Sequence, residues 1–292
     1  MQYNYSKPYD EEILERLHGV QLQILGDLDR VCRKYGIKYF ALYGTAIGAV
    51  RHGGFIPWDD DIDVGMLRED YDKFIDIFNK ELDGYYELIT PYKDSDYTCT
   101  VTHLQKKGTK FVSQFSRRAK YNLGIFIDIF PLDKVAPNIT GRRKQAFITT
   151  FLGRLLFLCG TPYPNIPING MKGKLAAAIC FLTHYVLKIF RISGTTVYKR
   201  FDRASRKYNK CNSKFVTSFE YSGSIKDMVP ISELFPLREV PFETGTVYLP
   251  ANNDKFLKRI YGDYMKIPPK CKQINHCPYL IQFEGEKPII NK

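Results

Sequence analysis

The stretch Leu42–Asp63, LYGTAIGAVRHGGFIPWDDDID, decides how this chain is interpreted. Overlapping its first two residues, the β-branched and aromatic segment Ile37–Tyr43 predicts a short buried strand. Within it, Ala46–Arg51 predicts a brief helix that ends before a pair of glycines and a proline-containing loop. After the loop, Asp61–Met66 alternates polar and apolar residues, a pattern typical of a strand. The stretch therefore predicts a strand, a turn, a short helix, a loop and a second strand.

Four carboxylates crowd into residues 59–63, within the run Trp58–Asp63. If Asp61–Met66 is a strand, Asp61 and Asp63 lie on the same face, because side chains alternate along a strand. Two carboxylates on one face suit Mg²⁺, which prefers oxygen ligands and is often shared with substrate phosphates. A solvated acidic loop is the alternative. The pattern favours a divalent metal site.

The Gly44-Thr45 turn precedes the acids and leads into the short helix. A glycine lets a ligand approach the backbone, and the free N–H groups at a helix N-terminus favour anions such as phosphate. Gly-Thr is also an ordinary helix cap, so the dipeptide by itself is a weak signal. Next to the acidic run, it predicts a phosphate site beside a metal site.

A third carboxylate, Asp128, interrupts the apolar run Gly124–Phe130. A buried acid without a partner carries a large desolvation cost. A shared metal ion would offset that cost, and Asp128 would then complete the site or accept a proton from a substrate hydroxyl. Hydrogen bonding to the backbone, with no catalytic role, is the alternative.

The rest of the chain mixes helices and strands. Apolar residues recur at helical spacing in Tyr9–Lys34, and Gly36 is expected to end that helix. Strand patterns dominate Tyr85–Phe130, and helical patterns follow. The mixture predicts an α+β fold in which a mixed sheet is flanked by helices and followed by a basic, apolar helical subdomain. We divide the chain into a catalytic core (1–140), a basic helical insert for membrane or acceptor binding (141–210) and a C-terminal part packed on the core (211–292).

Positive charge is concentrated in residues 141–210. This insert holds fourteen Lys or Arg and one acid, so it carries a net +13 within a chain of net +12. It also holds two apolar stretches, Ala146–Cys159 and Leu175–Ile192. Neither matches the roughly 20 apolar residues of a spanning helix. Basic, apolar helices suit the surface of an anionic membrane, so we expect peripheral attachment at the inner face of the cytoplasmic membrane. Core helices with basic outer faces are the alternative.

Several other classes of protein are not supported. The first residues lack a basic segment followed by an apolar one, so no secretion signal is expected and the protein is expected in the cytoplasm. The seven cysteines include no C-x-x-C pair, which fits reduced thiols. Cys271, His276 and Cys277 are too few for a complete zinc site. No groove-reading or base-reading motif accompanies the positive charge, so no nucleic-acid partner is expected.

Three motifs resemble the LicD family, relatives of fukutin within the nucleotidyltransferase fold superfamily. The first is Leu42–Asp63, the second is Phe126–Asp133, and the third combines Tyr261–Met265 with Pro268-Pro269. The resemblance spans most of the chain, although the basic insert does not align with the family pattern. It implies that the catalytic core (1–140) is nucleotidyltransferase-like.

The resemblance also implies an activity. Such an enzyme moves a phospho-alcohol, typically phosphocholine, from a CDP-activated donor such as CDP-choline to a sugar hydroxyl of a lipid-linked glycan, for example teichoic acid or lipopolysaccharide. Asp61, Asp63 and Asp128 would hold Mg²⁺ or Mn²⁺, and Gly44 and Thr45 would face the diphosphate. Transfer of a nucleoside monophosphate, or a non-catalytic adaptor at a membrane surface, are the alternatives.

Three further residues are candidates for donor binding. Arg51 and His52 lie between the phosphate turn and the acids, where they could contact donor phosphate, or they could be ordinary surface residues. Trp58 could stack on a base or on choline, or it could pack in the core.

Overall fold

The computed structural model describes residues 9–113, 117, 120–164, 166, 168–220 and 225–290. The helices are α1 (Glu11–Tyr35), α2 (Tyr43–Arg51), α3 (Arg68–Glu81), α4 (Ile139–Gly160), α5 (Gly170–Ile189), α6 (Gly194–Ser205), α7 (Ile231–Leu234) and α8 (Asn253–Tyr261). The strands are β1 (Tyr39–Ala41), β2 (Asp63–Leu67), β3 (Tyr86–Ile89), β4 (Thr102–Lys106), β5 (Lys110–Val112), β6 (Phe126–Lys134), β7 (Phe215–Thr217), β8 (Val229–Pro230), β9 (Arg238–Phe242), β10 (Gly245–Leu249), β11 (Leu280–Gln282) and β12 (Ile289–Ile290).

The first three elements follow the sequence pattern closely. Helix α1 ends as predicted at Gly36, which adopts a left-handed φ of 63°. Strand β1 is shorter than the predicted Ile37–Tyr43, because the chain leaves the extended conformation at Tyr43, where φ is 44°. Helix α2 therefore starts at Tyr43 rather than at Ala46, and Gly44 and Thr45 belong to its first turn.

A mixed sheet forms the centre of the molecule. Its strands lie in the order β1-β2-β6-β4-β3, with β7 paired to β6 and β8 paired to β7. Strands β2 and β6 run parallel, whereas the other neighbouring pairs are antiparallel. The main hydrophobic core includes buried residues of the sheet and of α1, α2 and α3. The predicted α+β class is confirmed.

Helices α4, α5 and α6 occupy the basic insert. Few residues of the first two are buried: three on α4 and two on α5. Helix α6 buries half of its twelve residues, including Val197 and Phe201, which share a small second core with Leu156 of α4. Among the described helices, no single one is long and apolar enough to cross a membrane. Helices α5 and α6, taken together, pass that test but meet at a bend of 106°.

A buried ion pair connects the sheet to this helical region. The Arg68 guanidinium donates to both carboxylate oxygens of Asp133 at 2.8 and 2.5 Å, and it lies 3.4 Å from Asp202 of α6. Arg68 and Asp133 are 6% and 1% exposed, respectively. Asn209 donates a further hydrogen bond to Asp133 at 2.6 Å. The pair therefore links α3, β6 and α6 where water is excluded.

Substituting Arg68→Met should destabilise the protein strongly. It leaves Asp133 buried without its cation, which typically costs about 3–5 kcal/mol of unfolding free energy. The control is Arg206→Met, since Arg206 pairs with Asp72 and Asp202 but is 35% exposed. That change should cost about 1 kcal/mol or less. Chemical denaturation measures both losses, and equal losses in the two variants would contradict the interpretation.

Candidate active site

The parallel pairing of β2 with β6 places two predicted site residues side by side. Asp63 pairs with Asp128 in register, and the Asp128 N–H donates to the Ile62 carbonyl at 2.8 Å. Both side chains are buried. In-register residues of parallel strands project from the same side of the sheet, so the two carboxylates are neighbours. The register therefore places Asp128 beside Asp63, and the role of these residues in catalysis and metal binding stays a prediction.

The predicted strand was wrong at its start. Strand β2 begins at Asp63, not at Asp61, so the alternation argument for Asp61 and Asp63 does not apply. The reason is that pairing with the distant strand β6 begins at Asp63, whose N–H also donates to the Thr45 hydroxyl at 2.8 Å. Asp61 precedes the strand in an irregular segment, yet its charge still acts on Asp63.

The predicted phosphate turn contacts the acids directly. A Cβ atom on Gly44 would lie 2.5 Å from the Asp59 carboxylate, so a larger residue at the start of α2 would require that carboxylate to shift. The Thr45 hydroxyl accepts the hydrogen bond from Asp63. Both residues thus position carboxylates in this structure, and their contact with a donor diphosphate stays a prediction.

Asp60 is the structural member of the acidic run. Its carboxylate accepts hydrogen bonds from the Tyr9 hydroxyl at 2.6 Å and from the His276 backbone N–H at 2.9 Å. The His276 ring nitrogen Nδ1 lies 3.2 Å away. The Gln21 side chain holds the Asp60 carbonyl at 2.8 Å. Asp60 therefore ties α1 and the C-terminal segment to the acidic loop.

One group of potential metal ligands in the described part of the chain has its ligand atoms all within 4.8 Å of one another. It consists of Asp60, Asp61 and His276. The His276 ring lies 3.5 Å from Asp61. The ligand atoms of the predicted trio, Asp61, Asp63 and Asp128, do not all lie within 4.8 Å of one another. Asp61 is the one residue that belongs both to this trio and to the group with Asp60 and His276. Neither Cys271 nor Cys277 belongs to the group.

The acids strongly perturb one another. Burial, followed by the charges of Asp61, Asp128 and Asp59, raises the pKa of Asp63 well above its usual value. Burial and the neighbouring acids likewise raise the pKa of Asp61, against a lowering effect of His276. The pKa of Asp59 rises to about 6, mainly through burial. Such repulsion disfavours the ionised cluster unless a cation joins it.

His103 is a site residue that sequence analysis missed. It faces Asp128 across the β4–β6 pair, and its Nδ1 lies 2.5 Å from Asp128 Oδ1. Burial alone would lower the pKa of His103, but the Asp128 charge and their hydrogen bond raise it to about 9. Nothing local in the sequence signals this contact, because it depends on the register between two strands that are distant in the chain.

The donor-binding candidates gather at the end of α2. The Arg51 guanidinium donates to the His52 ring at 2.9 Å and to the Tyr264 carbonyl at 2.6 Å, and it lies 5.9 Å from the Trp58 ring centre. Burial lowers the pKa of Arg51, and the nearby Asp59 charge partly offsets this lowering. The three residues therefore form one group beside the acids, and their role in donor binding remains a prediction.

Tyr261 is a second residue without an assigned role in the sequence analysis. Burial of its hydroxyl raises its pKa, and the charges of Asp63 and Asp59 raise it further. The third sequence motif thus lies next to the acidic cluster, together with Tyr264. The position of Tyr261 in that motif was the sequence signal available for it, but the motif did not specify a function for this residue.

Comparison with known proteins finds similarity to one family and to several proteins. Residues 36–150 match the family described as LicD/FKTN/FKRP, nucleotidyltransferase domain. The chain is 28% identical over 261 residues to the lipopolysaccharide cholinephosphotransferase LicD of Haemophilus influenzae, covering 88% of this chain and 93% of that protein.

Two shorter similarities accompany these matches. An uncharacterized protein of Rickettsia prowazekii is 33% identical over 146 residues, which cover 46% of this chain and 54% of that protein. Human ribitol 5-phosphate transferase FKRP is 49% identical over 35 residues, which cover 12% of this chain and 7% of FKRP.

These similarities, with the carboxylate cluster inside the matched region, define the protein as an enzyme of the phosphotransferase class. Residues 36–150 carry a domain of the LicD family.

Asn substitutions at Asp60 and Asp61 should have opposite effects on stability. Asp60→Asn weakens charge-assisted hydrogen bonds from Tyr9 and His276, which should lower the unfolding free energy by about 1.5–3 kcal/mol. Asp61→Asn removes a repelled carboxylate, so the metal-free protein should become more stable. Calorimetry at pH 7.5 with a chelator measures both effects. Equal destabilisation by the two variants would show that Asp61 is a structural acid too.

Proposed function

We propose that this enzyme transfers phosphocholine from CDP-choline to a sugar hydroxyl of a lipid-linked cell-surface glycan, such as lipopolysaccharide or teichoic acid. The proposal is carried by the in-register pairing of Asp63 with Asp128, with Asp61 two positions earlier in the chain. It is supported by similarity to the Haemophilus cholinephosphotransferase over nearly the full length of both chains. The core is accordingly proposed to be nucleotidyltransferase-like.

We assign a divalent cation, Mg²⁺ or Mn²⁺, to Asp61, Asp63 and Asp128. Their oxygen atoms are the ligands that both ions prefer. Among the described residues, none donates a hydrogen bond to the Asp63 carboxylate, and His103 engages only Oδ1 of Asp128. Asp60, in contrast, already accepts hydrogen bonds on both of its oxygens. Asp63 and Asp128 therefore have ligand atoms available, and we expect side-chain rotation to bring these atoms and the Asp61 carboxylate around an ion.

When bound, the cation neutralises and orients the diphosphate of the donor for an in-line displacement. The sugar oxygen forms a bond to the phosphorus that carries choline. The bond from that phosphorus to the bridging oxygen breaks, and CMP leaves with the electron pair. The hydroxyl proton passes to a carboxylate of the cluster. Positioning and charge complementarity supply most of the rate in such a reaction.

The surrounding residues hold this arrangement in place. The Thr45 hydroxyl fixes the start of β2 through Asp63, and His103 fixes one oxygen of Asp128. We propose that the first turn of α2, with Gly44 and Thr45, faces the donor phosphates. Arg51, His52 and Trp58 would then lie on the nucleotide or alcohol side of the donor.

We propose that the enzyme works in the cytoplasm, attached to the inner face of the cytoplasmic membrane. The insert carries a net charge of +13, which exceeds the net +12 of the whole chain. Large apolar side chains on α4 and α5 are also exposed, among them Phe147, Met171 and Ile189. Cations beside exposed apolar groups suit a surface of anionic lipid.

The transfer can be tested with CDP-choline carrying one label on choline and another on cytidine, a lipid-linked glycan acceptor and Mn²⁺. The choline label should move to the glycan while labelled CMP is released. Asp63→Asn and Asp128→Asn should each lower turnover roughly 100-fold or more, because each removes a proposed metal ligand. Asp76→Asn, an exposed acid on α3, is the matched control and should leave turnover unchanged.

Two results would contradict the proposal. Appearance of the cytidine label on the acceptor would show transfer of a nucleoside monophosphate instead. Wild-type turnover in both Asp63→Asn and Asp128→Asn would exclude the assigned cluster from catalysis.

A further inference from the structure

A cavity of about 480 Å³ lies between the catalytic core and the basic insert. The core contributes residues 95–98 and 120–123, and the insert contributes the C-terminal ends of α4 and α5 and the start of α6. None of the acids of the candidate active site lines it. The cavity is therefore a separate feature that the proposed transfer reaction has not used.

The cavity is positively charged. Lys120, Lys188 and Arg191 line it, against a single lining acid, Asp96. In the part of the chain that the structure describes, none of these three cations forms an ion pair. The first residue of α6, Gly194, also lines the cavity, so the positive end of that helix adds to the field. The cavity thus favours an anion.

The turn that ends α5 presents two of these cations together. The Arg191 N–H donates to the Lys188 carbonyl at 3.1 Å, and the Ile192 N–H donates to the Leu187 carbonyl at 2.9 Å. These bonds close the helix and satisfy two of its last carbonyl groups. The two cations therefore reach the cavity from one closed turn rather than from a long loop.

Apolar side chains surround the cationic lining. Phe157 of α4 lines the cavity and is 40% exposed. Ile189 and Phe190, which lie in the chain between the lining residues Lys188 and Arg191, are 75% and 71% exposed. A free phosphate ion gains nothing from contact with these apolar side chains. An amphiphile with a phosphate and a hydrocarbon chain would contact both the cations and the apolar side chains.

A short chain of side chains connects the cavity to the acids. The ring of Tyr121, which lines the cavity, lies 5.0 Å from the ring of Tyr97. The Tyr97 ring lies 5.5 Å from that of His103, which contacts Asp128 at 2.5 Å. The rings of Tyr121, Tyr97 and His103 thus follow one another between the cavity and Asp128.

We propose that this cavity binds the phosphate group of a lipid-linked acceptor, while its hydrocarbon chain lies along the exposed apolar side chains of α5. The inference rests on the proposed function, because it gives the acceptor lipid a place beside the transfer site. It assigns Lys188 and Arg191 to the phosphate, through charge-assisted hydrogen bonds.

Binding to the full-length chain is measured with three probes: geranylgeranyl diphosphate in detergent micelles, inorganic pyrophosphate, and phosphatidylcholine vesicles containing phosphatidylglycerol. The double variant Lys188→Ala/Arg191→Ala should weaken binding of the prenyl diphosphate ~10-fold or more, since two charged contacts are lost. The matched control is Lys172→Ala/Lys174→Ala, which removes two exposed cations of the same helix away from the cavity. It should change this affinity less than about twofold.

Three results would overturn the inference. Equal weakening by both double variants, or no weakening by either, would show that the cavity is not the site. Binding of pyrophosphate as tight as that of the prenyl diphosphate would show that the lipid chain is not recognised. A selective loss of vesicle binding in the cavity variant, with prenyl diphosphate binding intact, would assign the two cations to the bilayer surface instead.

A second readout separates this inference from the proposed function. Release of CMP from CDP-choline in the presence of a soluble glycan acceptor that carries no lipid should be the same in the wild type and in Lys188→Ala/Arg191→Ala. If the wild type releases no CMP although the prenyl diphosphate binds in the cavity, the proposed transfer fails while the anionic site stands. If CMP is released but the probe does not bind, the cavity inference alone fails.

Discussion

The electrostatic repulsion among carboxylates at the start of β2 is the constraint on which the rest of this structure depends. Burial raises the pKa of Asp61 and of Asp63, and the charges of Asp59 and Asp128 raise both further. A fold gains nothing in stability from such crowding. A divalent cation, bound together with a diphosphate, would explain the arrangement, because the cation would attract each of the carboxylates that repel one another.

The surrounding structure keeps the acids together despite this cost. Asp60 anchors the run by accepting hydrogen bonds from Gln21 of α1 and from the backbone of His276, and the parallel β2–β6 pairing fixes Asp63. The turn before the acids is held as well: the Glu243 carboxylate accepts the Phe55 N–H at 2.8 Å and fills the space beside Gly54, where a Cβ atom would collide with it. Contacts from distant parts of the chain thus support one short loop.

Local sequence patterns predicted much of this fold and less of the site. The helix ending at Gly36 and the strand holding Asp128 follow from periodicity and a glycine stop, which are local properties. The start of β2 was misplaced, because pairing with β6 decides where the strand begins. His103 and the contact of His276 with Asp60 were not predicted as site features, since both arise from register and chain docking across long sequence separations. The family resemblance supplied the activity, which no periodicity encodes.

The most direct measurement of the central claim is the position of bound Mn²⁺ in crystals of the protein, located by anomalous diffraction at the manganese edge. The account predicts a peak contacted by carboxylate oxygens of Asp61, Asp63 and Asp128. A peak held by Asp60 and His276, with the Asp63 and Asp128 carboxylates turned away from it, would contradict the account. So would the absence of manganese from the acidic cluster at saturating concentration.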